Sequence, residues 1–129
     1  MDISPDHLRQ VLNQQPGIRQ AWVFGSVASG EARADSDLDI AVEADHRLSA
    51  VEKMKLMADL AAATGRPVDL IDLKTVGEPL LGQILRHGQR ILGTSTEHAD
   101  LLRRHLFDQA DFQPYISRLL HERRAAWRD

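Results

Sequence analysis

Residues 37–42 (DLDIAV) alternate between acidic or small residues and large apolar ones, and this alternation constrains the fold more than any other feature of the sequence. In a β-strand the three large apolar side chains would share one face, and Asp37 and Asp39 would share the other. The two carboxylates would then be separated by roughly 7 Å along the strand. Such a strand needs a hydrophobic layer on one side and surroundings that tolerate paired negative charge on the other.

The charge of the chain is concentrated around this strand. The 129 residues carry a formal net charge of −3 at pH 7. Between Glu31 and Asp45, six acids stand against the single base Arg33, a local charge of −5, so the other 114 residues carry +2. Like charges this close repel one another unless solvent or cations relieve them. The segment is therefore either a solvated acidic loop or a site built to hold metal.

Composition excludes several classes of protein. The length and the hydrophobic fraction of 43% fit one globular domain over residues 1–129. The absence of cysteine excludes thiolate metal sites and a disulfide framework. The polar start of the sequence and the lack of any run of 18 apolar residues disfavour a secretory signal or a membrane span, so we expect a cytoplasmic protein.

Periodicity predicts alternating helices and strands. The predicted elements are helix Pro5–Gln14, strand Ile18–Phe24, a strand over 36–42, helix Leu48–Ala63, strand Val68–Leu73, helix Glu78–His87 closed by Gly88, edge strand Arg90–Leu92, and a closing helical region opened by a Thr94–Glu97 capping box. The first two strands should be antiparallel because their connection is too short for a crossover helix. These elements predict an α/β fold, with a small mixed sheet flanked by helices.

One helical stripe is predicted to face the core. Its members are Leu48, Val51, Met54, Met57, Ala58, Leu60 and Ala61. The two methionines are therefore interpreted as core residues rather than as a ligand surface.

The candidate site combines a turn with three carboxylates. Gly25 at the end of the first strand lets backbone approach a phosphate, and Ser26 adds a hydroxyl at the start of a short helix. Asp69 on the third strand supplies a further carboxylate. Asp72 faces the other way and is interpreted as an edge or loop residue.

Oxygen ligands of this kind suit Mg²⁺, with substrate phosphates filling its remaining positions. A metal that bridges phosphates and an attacking oxygen stabilises displacement at phosphorus, and Asp69 could accept the proton of the attacking hydroxyl. A lone DxD or a lone GS turn is more often ordinary surface; their conjunction favours a site. The six scattered histidines have no ligand-like spacing and are interpreted as structural.

The segment GSVASGEARADSDLDIAV, followed by PVDLIDL, closely resembles the nucleotidyltransferase fold of the DNA polymerase β superfamily. More narrowly, the chain resembles the minimal nucleotidyltransferase (MNT) antitoxins that are encoded beside HEPN-domain toxins. The resemblance covers essentially the whole chain. Its GS and DxD block is specific for the superfamily, whereas the narrower assignment rests on size and on the mixed-charge C-terminal helix.

The resemblance implies a function. Gly25 and Ser26 match the phosphate-holding pair, Asp37 and Asp39 match the metal-binding pair, and Asp69 matches the third carboxylate, which makes the three aspartates the expected catalytic and Mg²⁺-binding set. Members of the group transfer AMP from ATP to a tyrosine hydroxyl of the toxin and so silence its RNase activity. The expected partners are thus ATP and a HEPN-domain toxin, in a hetero-oligomer.

One departure from the pattern keeps an alternative open. Relatives often carry a basic residue near Ser29, whereas here Arg33 alone is available to meet the triphosphate. The alternative is a binding module that neutralises its toxin by occlusion, with weak or no catalysis. A small-molecule adenylyltransferase is a third and less favoured hypothesis, since such relatives usually build the acceptor pocket from an additional domain or subunit.

The closing segment, residues 95–129, is interpreted as helices that offer a candidate surface for docking the partner. Its arginines are balanced by acids, which disfavours direct nucleic-acid binding. Leu119, Leu120 and Trp127 are large apolar residues that could exceed what a small core covers.

Overall fold

The computed structural model describes residues 4–33 and 35–108. The elements, in chain order, are α1 (Pro5–Asn13), β1 (Ile18–Phe24), α2 (Gly25–Ser29), β2 (Leu38–Ala44), α3 (Ala50–Thr64), β3 (Val68–Asp72), α4 (Leu80–His87) and β4 (Gln89–Leu92). A fifth helix, α5, begins at residue 95 and includes residues 95–108. The large apolar residues singled out toward the C-terminus, namely Leu119, Leu120 and Trp127, lie outside the described residues.

The four strands form one mixed sheet in the order β3-β2-β1-β4. Strand β1 runs antiparallel to β2 and to β4, whereas β2 and β3 are parallel and are joined by the crossover helix α3. The predicted α/β fold with a mixed sheet is confirmed, as are the antiparallel pairing of the first two strands and the edge position of β4.

The sheet is covered on both faces. One face packs against α1 and α3 through a core that includes Leu12, Ile40 and Leu60. The opposite face carries a smaller cluster, in which Trp22 packs with α4 and with Leu101 of α5. Because side chains alternate along a strand, the predicted apolar residues of β2 enter the larger core, and Asp39 belongs to the face of the smaller cluster.

Helix α3 corrects the predicted core stripe. Val51 and Met54 are 76% and 70% exposed, while Leu56 and Leu60 are buried. The side chain and backbone N–H of Ser49 form a reciprocal capping box with Glu52, so the helix begins at Ala50. Helix α3 carries apolar residues of its own on several sides, so periodicity alone does not indicate which side is buried.

Asp72 corrects a second expectation. It is the last residue of β3, yet its side chain is buried. Its carboxylate accepts the backbone N–H groups of Leu48 and Lys74, both at 2.9 Å. These bonds join the end of β3 to the loop that leads into α3. Asp72 is therefore a structural carboxylate rather than an exposed edge residue.

The ends of the later helices depend on two glutamates. Glu78 lies just before α4, where its carboxylate accepts the N–H of Gly82 at 3.1 Å and contacts the imidazole of His105 on α5 at 2.5 Å. Glu97 accepts the N–H of Thr94 at 3.2 Å, which is one half of the predicted capping box. No helix in the described ranges is long and apolar enough to cross a membrane.

Candidate active site

Strand register brings together the predicted turn and two of the predicted carboxylates. Phe24, the last residue of β1, pairs with Asp39 of β2, and Asp39 pairs in turn with Asp69 of β3. Directly paired residues point to the same face of a sheet, so Asp39 and Asp69 are neighbours at one edge. Asp37 lies one residue before β2 begins, in the loop rather than in the strand as predicted.

The backbone of Gly25 lies directly against the carboxylate of Asp39. Its backbone has a φ of +71°, and a Cβ at this position would lie 2.1 Å from Oδ2 of Asp39. A side chain here would be strained by the left-handed backbone and would also displace the carboxylate. The backbone at Gly25 thus lies against the Asp39 carboxylate, and its predicted approach to a phosphate stays a prediction.

The electrostatics of the site centre on Asp39. Burial raises the pKa of the Asp39 carboxyl, and the negative charges of Asp69 and Asp37 raise it further. A carboxylate whose surroundings oppose its charge favours the binding of a cation. The three predicted carboxylates therefore interact through their charges.

The helix α2 begins directly at the predicted phosphate-holding pair. Its five residues run from Gly25 to Ser29 and end at Gly30, which has a φ of +79°. The carbonyl of Ser26 accepts the Ser29 hydroxyl at 3.1 Å and the Glu31 N–H at 3.0 Å. These bonds close the C-terminal turn of the short helix, and Ser26 is only partly buried within it.

Arg33 is held by its backbone rather than by its side chain. Its N–H donates to Oγ of Ser36 at 2.7 Å, and its carbonyl accepts from the guanidinium of Arg66. The Arg33 side chain is exposed. Its predicted contact with a triphosphate remains a prediction.

The carboxylates of the site meet only part of what a divalent metal needs. Within residues 4–33 and 35–108, no three His, Asp or Glu side chains gather closely enough to form a metal cage made by the protein alone. Mg²⁺ does not need such a cage, because it is commonly held by one or two carboxylates together with substrate phosphates and water. Asp39, opposed by two neighbouring carboxylates, fits a site that is completed by a metal–nucleotide complex.

Sequence reasoning missed Arg66. Arg66 falls between the predicted helix Leu48–Ala63 and the predicted strand Val68–Leu73, where the sequence indicates no role for it, yet its guanidinium is buried and binds the loop before Asp37. Its acceptors are backbone carbonyls 30 and 33 residues away in the chain. The one signal available in the sequence was a long cationic side chain directly before a strand of high apolar content.

Comparisons with known proteins place the chain in a family. Residues 6–97 match the family model described as "Polymerase beta, Nucleotidyltransferase". The protein adenylyltransferase MntA of Shewanella oneidensis is 33% identical over 82 residues, which are 64% of this chain and 59% of that protein. The match thus spans less than two thirds of this curated relative.

Two solved structures resemble the fold over most of its length. A chain of a toxin–antitoxin structure with AMP-PNP has a TM-score of 0.74 and 26% identity, covering 92% of this chain and 99% of that one. The second is a complex of tri-AMPylated Shewanella oneidensis HEPN toxin with MNT antitoxin. One of its chains has a TM-score of 0.67 and 25% identity, covering 90% of this chain and 95% of that one. Since the family match includes all four strands and the whole site, the chain belongs to the polymerase β nucleotidyltransferase family.

Proposed function

We propose that this chain is an antitoxin that transfers AMP from ATP to a tyrosine hydroxyl of a HEPN RNase toxin, with which it forms a hetero-oligomer. The observation that carries the proposal is the approach of Gly25 to the Asp39 carboxylate, in register with Asp69. The likeness to a chain of a toxin–antitoxin structure with AMP-PNP supports the choice of nucleotide and partner.

Each residue of the site has a proposed task. Gly25 and Ser26, at the start of α2, hold phosphate oxygens through backbone N–H groups and the serine hydroxyl. Asp37, Asp39 and Asp69 would hold Mg²⁺ together with the nucleotide phosphates, and the bound metal would neutralise charge at those phosphates. Arg33 adds a cation on the loop that precedes Asp37.

The proposed transfer involves ATP, the tyrosine hydroxyl of the toxin and the carboxylate of Asp69. The tyrosine oxygen attacks the α-phosphorus of ATP, a new phosphorus–oxygen bond forms, and the bond from the α-phosphorus to the bridging oxygen breaks. Pyrophosphate leaves with that electron pair. The proton of the tyrosine hydroxyl passes to the carboxylate of Asp69, which is exposed and paired with Asp39.

The test is transfer of label from ATP to the purified toxin. Asp39→Asn should reduce transfer by roughly 1,000-fold or more, because asparagine keeps the shape but not the charge that holds the metal. Asp35→Asn is the matched control, because Asp35 is an exposed acid of the same segment and has no proposed task. A toxin that stays unlabelled by the intact protein, or equal transfer by Asp39→Asn, would refute the proposed chemistry.

Occlusion of the toxin is the second candidate, favoured by the single arginine in the loop between α2 and β2. The exposed apolar side chains of Leu102, Leu106 and Phe107 on α5 support a docking surface there. Under occlusion, the double variant Asp37→Asn/Asp39→Asn still protects cells at matched expression, and adding Phe107→Glu removes both protection and complex formation. Loss of protection by the double variant with an intact complex would exclude occlusion as sufficient.

A further inference from the structure

Arg66 lies in the turn between α3 and β3 and is 8% exposed. Its Nη1 donates to the carbonyl oxygen of Ser36 at 3.0 Å and also to the carbonyl oxygen of Arg33. Both acceptors are neutral backbone groups of the loop between α2 and β2. A buried guanidinium is costly unless it is hydrogen-bonded, and charge-assisted bonds of this kind are among the stronger ones.

The bonds made by this turn bracket Asp37. The Ser36 carbonyl belongs to the peptide unit that leads into Asp37, and it is fixed by Arg66. On the other side, the N–H of Leu38 donates to the carbonyl of Pro67 at 2.8 Å. The backbone is thus held both immediately before and immediately after Asp37 by two consecutive residues of one turn.

The rest of the turn serves the helix instead. The Thr64 hydroxyl donates to the carbonyl of Leu60 at 2.8 Å and accepts the backbone N–H of Arg66 at 3.3 Å. These bonds end α3 and do not reach the loop before β2. Within one short turn, Thr64 therefore acts locally, and the Arg66 side chain acts across the sheet edge.

We infer that Arg66 is a positioning residue, which holds the peptide before Asp37 so that the Asp37 carboxylate is placed for a metal–nucleotide complex. The inference rests on the proposed function. It assigns to Arg66 no contact with substrate; its effect passes through the Ser36 carbonyl to Asp37. Residues that orient a metal-binding group in this way typically change metal affinity or activity by roughly 10- to 100-fold when they are replaced.

The experiment measures binding of AMP-PNP to the intact chain by calorimetry, with and without Mg²⁺. Arg66→Met keeps an unbranched apolar stem and removes the donors, so the Kd measured with Mg²⁺ should rise by roughly 10- to 100-fold. The Kd measured without Mg²⁺ should change little. Hydrogen exchange at the amides of residues 35–38 should accelerate in the same variant.

Thr64→Val is the matched control, because it disturbs the same turn without touching the guanidinium. It should lower the unfolding temperature and leave the Mg²⁺-dependent Kd unchanged. In the Asp37→Asn background, Arg66→Met should have little additional effect on Mg²⁺-dependent binding, since the group it positions is already removed. If Arg66→Met does not fold, Arg66→Lys carries the same comparison and should weaken binding by a smaller factor.

The outcomes separate the two proposals. Mg²⁺-dependent binding by the wild-type chain that is equally tight in the folded Arg66 variant overturns the positioning role and leaves the proposed function standing. Equal weakening with and without Mg²⁺ also overturns it, because the effect would then be structural. No Mg²⁺-dependent binding by the wild-type chain refutes the metal–nucleotide site itself.

Discussion

The two ends of β2 both gather carboxylates, but their charges are relieved in different ways. At the end of the strand, Asp45 lies 2.6 Å from the imidazole of His46, and the buried carboxylate of Asp72 accepts two backbone N–H groups. At the beginning, Asp39 is opposed by the charges of Asp69 and Asp37, and its pKa is raised. Partnered carboxylates stabilise the fold, whereas carboxylates left in mutual repulsion mark the end where a cation and a nucleotide are expected.

Closing the approach beside Asp39 should have a large effect on transfer. Gly25→Ala should lower AMP transfer by roughly 100-fold, because a misplacement on the order of 1 Å at a reacting site has this scale of effect. The measurement is the initial rate of toxin labelling per folded molecule.

Gly30→Ala provides the control for backbone strain at Gly25. Gly30 has a similar positive φ, but a Cβ there would meet open space. This variant should lose about 1–2 kcal/mol of stability from the left-handed backbone and retain transfer. Equal loss of transfer in both variants would mean that the contact with Asp39 is not what matters at Gly25.

The two aspartates of β3 test most directly whether the two ends of β2 have different roles. Asp72→Ala leaves two N–H groups without their acceptor and should lower the free energy of unfolding by about 2–4 kcal/mol, with transfer per folded molecule retained. Asp69→Ala removes an exposed charge, so it should change stability by no more than about 0.5 kcal/mol and abolish transfer. Denaturant titrations and labelling rates on both variants distinguish the roles, and the reverse pattern would mean that Asp69 supports the fold and Asp72 the chemistry.

The smallest expected effect is the pH dependence of stability that comes from Asp45, His46 and Glu52, just after the end of β2. Hydrogen bonds to Asp45 and then to Glu52 raise the pKa of His46 above its ordinary value. This contribution to stability is therefore complete below the pKa of the unfolded state and is lost as the pH rises through the raised pKa of the folded state. The pKa of Asp45 is lowered by its hydrogen bond to His46, and that of Glu52 is lowered by the Ser49 N–H and then by His46, so their contributions are lost at acidic pH.

The contacts among Asp45, His46 and Glu52 should thus stabilise the protein most at about pH 5 to 6. Thermal unfolding at ~pH 5.5 and ~pH 8.5 should show a decrease at the higher pH that is smaller in His46→Gln. An unchanged pH profile in His46→Gln would show that these contacts do not couple to folding.

Much of the fold follows from local patterns in the sequence. The bounds of β1 are those predicted, and the alternation over β2 correctly assigned its apolar face, because one buried face imposes a period of two. Alternation also indicated which face of β3 Asp69 occupies, whereas its pairing with Asp39 depends on the register between β2 and β3, which local patterns do not predict.

The errors have a different origin. The buried side of α3 is chosen by the sheet beneath it, and a helix with apolar residues on several sides carries no clear record of that choice. The role of Asp72 depends in part on a backbone group 24 residues away, and that of Arg66 depends on backbone groups 30 and 33 residues away. A hydrogen bond to a distant main-chain atom leaves no residue type to recognise at the other end.

The register that joins Phe24, Asp39 and Asp69 also makes activity a measure of correct folding. If β2 slipped by one residue against its neighbours, every side chain along it would change face, and Asp39 would enter the apolar core. A misaligned chain could therefore keep a sheet and helices while losing its carboxylate pair. Under the proposed chemistry, a labelling assay counts only molecules whose strands are correctly aligned, which makes it a stricter test of refolding than circular dichroism.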